Sequence, residues 1–79
     1  MFKYIVYNDK HNLKIQECSD LSEALEVCKP LLSSANTSLK IKKYHEEKVV
    51  REFSFLVEEG KEILLRYVDP EGQSIATPI

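Results

Sequence analysis

The residues of this 79-residue chain whose types could do chemistry are few: Cys18 and Cys28, His11 and His45, and the serines at 33, 34 and 38. The serines have no nucleophile elbow, base or orienting acid beside them, so no acyl-transfer constellation forms. His11 and His45 fall in expected turns, far apart and without Cys or His at ligand spacing, which points to surface residues and to no metal site. Paired acids such as Glu46 with Glu47 and Glu58 with Glu59 flank turns, where solvation accounts for them better than acid-base work. Gly60 and Gly72 also sit in expected turns, so no glycine-rich phosphate cradle is present. The residues therefore point to no catalytic site, no cofactor and a protein that is not an enzyme.

The cysteines are separated by a helix. At about 1.5 Å per residue, the helix should hold their Cα atoms beyond the roughly 7 Å that a disulfide spans. Two unbridged, partly buried thiols suit a reducing compartment. No apolar run approaches the roughly 20 residues of a membrane span, and the N-terminus lacks a signal core and cleavage site. The chain reads as cytoplasmic, with no membrane partner.

Charge supplies a second kind of candidate. Residues 38 to 51 place Lys40, Lys42, Lys43, Lys48 and Arg51 against Glu46 and Glu47, a local balance of +3, whereas residues 52 to 72 carry a balance of -4. Lys40, Lys42 and Tyr44 share one strand face, and with Lys43 they could place cations and a stacking ring along a nucleic-acid backbone. The overall charge of -2 and pI near 5.6 lack the attraction expected of a dedicated binder, which makes nucleic acid the alternative reading.

One helix and several strands must position these groups. From Ser19 to Leu32, the residues Leu21, Ala24, Leu25, Cys28, Leu31 and Leu32 recur at helical spacing, with acids and Lys29 opposite. Asp20 or Ser19 caps its start, and the Glu23 carboxylate is placed to return to the Asp20 amide. Pro30 should stop or kink it near Lys29. Alternating or β-rich stretches predict strands at 2 to 8, 13 to 17, 38 to 44, 48 to 58 and 62 to 68, with a short sixth at 73 to 77 on an edge. Leu13 and Ile15 should oppose Lys14 and Gln16, the first two strands forming a hairpin. Gly60 is expected to take a positive φ in a short hairpin loop, and residues 69 to 72 a type I turn with a bulge.

The fold expected is α+β in a single domain: one helix on an antiparallel sheet, in the order β-β-α-β-β-β plus the short edge strand. Over roughly the first 32 residues, this opening hairpin and capped helix resembles the ubiquitin-like β-grasp arrangement. The uninterrupted meander after Ser38 departs from it, and the closing Thr-Pro-Ile replaces a terminal Gly-Gly, so the resemblance implies layout and not conjugation.

The layout carries a mismatch. Five strands about 4.8 Å apart make a sheet wider than 20 Å, while one helix is only about 10 to 12 Å across. Apolar groups at Ile5 or Val6, Val50, Leu56, Leu64 and Val68 fall on the second face. That face must curl into a core, pair with another copy or receive a partner. The expected function is a non-enzymatic protein-protein interaction module: a small regulator, adaptor or inhibitor. It would act through a sheet face at Val50, Leu56, Leu64 and Val68 or through an edge strand, and could be homodimeric.

Overall fold

The computed structural model describes residues 1–33, 37–57, 62–69 and 71–79. Its elements are β1 (Phe2–Asn8), β2 (Leu13–Cys18), α1 (Leu21–Cys28), a 3-10 turn (Lys29–Leu31), β3 (Leu39–His45), β4 (Lys48–Val57), β5 (Ile63–Val68) and β6 (Ser74–Pro78). All six strands join one antiparallel sheet in the order β2-β1-β3-β4-β5-β6. β1 runs against both β2 and β3, so the chain returns through α1 before re-entering the sheet beside β1. The α+β class is as expected, and β6 lies at an edge. The polar loop around residues 34 to 36, the Gly60 loop and the Pro70 position of the last turn lie outside the described residues.

The start of α1 follows the sequence with one change of partner. The Asp20 carboxylate accepts from the Glu23 amide at 2.8 Å, but the Glu23 carboxylate returns to Ser19, accepting from its amide at 3.3 Å and its hydroxyl at 2.9 Å. The reciprocal cap thus closes one residue earlier than the Asp20 amide, which leaves both acids at the positive end of the helix. At the other end, Pro30 ends the α-helix and a 3-10 turn follows, with the Leu32 amide bonded to the Cys28 and Lys29 carbonyls.

The core is a single cluster in which Val6, Ala24, Cys28 and Ile41 have no accessible surface, joined by Cys18, Leu39, Phe53, Phe55 and Leu65. The helix packs closely on β1 and β2 only. Phe53, Phe55 and Leu65, on β4 and β5, share its cluster through their same-face neighbours on β3 and β4. Among the described residues the buried hydrophobics form this one cluster, with Ile5 alone outside it.

Two bulges modify the expected alternation. The first, in the β1–β2 pairing, leaves Ile15 without a partner between Gln16, opposite Val6, and Lys14, opposite Tyr7. Lys14 and Gln16, expected to share the face opposite Leu13 and Ile15, thereby part to opposite faces, and Leu13 and Ile15 are 60% and 40% exposed on this edge strand. The second falls at Val50, between the pairs Lys43 with Arg51 and Tyr44 with Val49. The adjoining hairpin turns through Glu46 and Glu47 at positive φ of 51° and 69°. That conformation matches strand twist but is strained for glutamate. Replacing Glu46-Glu47 with Asn-Gly should raise the unfolding free energy by about 1 kcal/mol or more in urea denaturation. An unchanged or lower midpoint would contradict this turn geometry.

Candidate docking surface

Paired residues on neighbouring strands share a face of a sheet, so register assigns every strand residue a side. Val6, Ile41, Phe53, Tyr67 and Ile75 form one rung on the helix side. The opposite face consists of other rungs. One runs Lys14, Tyr7, Lys40, Ser54, Arg66 and Ala76; another runs Glu17, Ile5, Lys42 and Glu52; a third runs Leu56, Leu64 and Pro78. Tyr44 pairs with Lys3 on one side and Val49 on the other. Of these residues only Ile5 is buried, at 5% exposure, and it stands apart from the main core cluster. No element among the described residues covers this face.

The burial of Ile5 has a specific cause. Tyr7 and Tyr44 are displaced along the strands by four residues, about 13 Å at 3.3 Å each, yet their hydroxyls meet at 3.2 Å. The two rings must therefore lean toward each other over the Ile5 and Lys42 pair. The hydroxyl contact raises the Tyr44 phenol above its ordinary value, with burial as the second cause. Lys42 Nζ lies 4.9 Å from the Tyr7 ring centroid and Lys3 Nζ 5.8 Å from that of Tyr44.

Of the other cations on this face, Lys40 reaches Asp9 at 3.5 Å and Glu52 at 3.8 Å, and Lys14 bonds Glu17 at 3.1 Å. Lys14 first, and Lys3 after it, hold the Glu17 carboxyl below its ordinary value. Arg66 donates from Nε to the Ser74 hydroxyl at 3.2 Å. Lys40, Glu52, Phe53, Ser54, Arg66, Tyr67 and Val68 line a shallow concavity of about 400 Å³, open to solvent.

The face is divided chemically. On the β2-β1-β3 side lie lysines and the two tyrosines; on the β4-β5 side lie the apolar groups. Leu56 and Leu64 are directly opposite each other and half-buried. Val68 shares their face but stands four residues from Leu64 along β5, with Arg66 between, and Val50 lies at the far end of β4 beside Val49. The four apolar candidates thus form two separate groups, one at each end of the concavity. Of the basic candidates, Lys40, Lys42 and Tyr44 share the open face. Lys43 does not join them, because its register turns it to the helix side, where Nζ sits 4.2 Å from the Phe2 ring centroid and 5.7 Å from that of Tyr4.

Lys3, Tyr7 and Val49 belong to the face but were not among the sequence candidates. Alternation in β1 already groups Lys3, Ile5 and Tyr7. Their adjacency to β3 depends on the crossover, and Val49 reaches the face only through the bulge. His11 lies in a turn, whereas His45 ends β3 with its ring 4.8 Å from that of Phe2. Among the described residues no three of His, Cys, Asp and Glu gather as metal ligands, and no helix is long and apolar enough to cross a membrane. No family model, curated protein or solved structure matches the chain.

Both cysteines are unbridged and fully within the core. Burial, and then the neighbouring Cys18, pushes the Cys28 thiol up to about 11. Because folding favours the protonated thiol, this contribution to stability is complete below the ordinary value of 9.0 and is lost as pH rises toward about 11. Urea denaturation should show stability falling across that window. At pH 8, iodoacetamide should alkylate Cys28 far more slowly in the native protein than in urea; equal rates would contradict its burial.

Proposed function

We propose that this chain is a non-enzymatic protein-binding module, a regulator, adaptor or inhibitor, that receives a partner protein on the uncovered face of its sheet. The observation that carries the reading is that α1 covers one face only, leaving apolar side chains outside it on the other. Val49, Val50 and Val68 are 46%, 51% and 54% exposed, and the Leu56 and Leu64 pair has nothing over it among the described residues. Apolar groups at either end of a shallow, open concavity suit a protein surface better than a small molecule, which needs an enclosed cleft.

The face is a better candidate than either edge. β2 is bulged and carries Lys14 and Glu17, and β6 is short and ends at Pro78, features that discourage strand addition. A second copy is also a poor occupant for the whole face. The sheet residues on it include Lys3, Lys14, Lys40, Lys42 and Arg66 against Glu17 and Glu52, so two-fold stacking would oppose +3 with +3. The reading places the protein in the cytoplasm, where unbridged thiols such as Cys18 and Cys28 are stable.

A photo-crosslinking residue at Val68 should yield a discrete protein adduct in cells of the source, and the same residue at Glu26 on the helix should not. Val50→Lys with Leu64→Lys should abolish the Val68 adduct while the purified variant keeps its circular dichroism spectrum. Adducts that are identical from both positions, or unaffected by the lysines, would refute docking on this face.

A further inference from the structure

We infer that the β1–β3 half of the open face is a site for single-stranded nucleic acid, with bases stacking on Tyr7 and Tyr44 and phosphates held by Lys3 and Lys42. This goes beyond the docking of a protein on the β4–β5 half and stands on separate residues. Two observations carry it.

The first is the arrangement of the rings. Tyr7 and Tyr44 stand on adjacent interior strands of an uncovered sheet and incline toward each other until their hydroxyls are 3.2 Å apart. They make a half-buried aromatic platform over Ile5, and burial beneath holds it in place. Paired aromatics on the central strands of an open sheet are a general means of stacking unpaired bases, since every base offers a π-face. Duplexes present no such unstacked bases, which makes a single strand the matching form.

The second is the distribution of charge. The chain carries -2 overall, yet the strand residues of the open face carry +3 and those of the helix side another +3 at Lys43, Lys48 and Arg51, which leaves -8 outside the strands. The pI therefore hides a local positive field. Lys14 and Lys40 are engaged by carboxylates, but Lys3 and Lys42 have no salt bridge among the described residues. Their ammonium groups lie against Tyr44 and Tyr7. When a base takes the ring face, each lysine can swing on its four-carbon stem to a phosphate. An acidic polypeptide would use the same cations but gain nothing from the rings, and this difference separates the two kinds of partner.

The test is fluorescence anisotropy of the full chain at low salt with labelled oligo(dT) and oligo(U) of about 12 nucleotides, a length within the range such surfaces cover. Poly-L-glutamate of similar length serves as the rival probe. Both oligonucleotides should bind, or one in preference if the sugar is read. Tyr7→Leu and Tyr44→Leu should each weaken binding about fivefold or more, while Tyr44→Phe retains most of it. Lys3→Gln with Lys42→Gln should reduce the slope of log K against log salt by about 1.4. Should the leucine variants fail to fold, the glutamines, which keep the length of the half-buried side chains nearly unchanged, keep the test decisive. Absence of oligonucleotide binding at low salt overturns the inference. So does binding indifferent to loss of the rings and matched by polyglutamate, which would assign the surface to an acidic protein segment. Because Leu56, Leu64 and Val68 are untouched, failure here leaves the docking reading to its own experiment.

Discussion

The structure depends on one register. Val6, Ile41 and Phe53 stand side by side on three adjacent strands, buried together against Ala24 and Cys28 of the helix. Side chains alternate with a period of two, so once these three face the helix, Ile5, Lys42 and Glu52 must face away. A slip of one residue in β3 would bury Lys40 and Lys42 and expose Leu39 and Ile41, a cost no compensating contact offsets. The open face is therefore specified by the core as firmly as the core itself.

What lies on that face follows from how the helix and sheet share the burden of burial. The eight-residue helix packs mainly on β1 and β2, and Phe53 and Phe55 of β4 and Leu65 of β5 join the same cluster. The open side of the sheet is left to small-scale arrangements: two tyrosines over Ile5, ion pairs around Lys40, and a cross-strand leucine pair. Surface ion pairs of this kind contribute about 0 to 1 kcal/mol each, so these groups are free to exchange their partners for those of another molecule at low cost. The same division makes net charge a poor guide to binding, because most of the acids lie outside the strands while the strand residues of both faces carry a positive balance.

The fold was largely legible in the sequence. Alternation located the strands to within a residue or two at their described ends, and Asp20 and Pro30 marked where the helix starts and where it changes character. Which strand residues shared a face was equally readable wherever alternation ran unbroken, as in Phe53, Phe55 and Val57 against Glu52, Ser54 and Leu56. It failed where an extra residue entered one strand: Lys14 and Gln16 parted to opposite faces, and Val49 joined Tyr44. Bulges depend on tertiary fit and leave little mark in hydrophobic pattern. The candidate site was legible in part. Lys40, Lys42 and Tyr44 were grouped by their spacing in β3, but their neighbours Lys3 and Tyr7 come from a strand more than thirty residues away, joined to β3 only through the crossover. Lys43 was drawn into the group by its place in a lysine run, although alternation alone turns it away.

The central claim is that one face of the sheet is covered and the other bare. Nuclear magnetic resonance of side-chain protons with a soluble paramagnetic probe measures this directly. The account requires strong relaxation enhancement at Lys42, Tyr44, Val50 and Val68 and little at Val6, Ile41, Phe53 and Leu65. Comparable protection of both sets, or the reverse pattern, would contradict it.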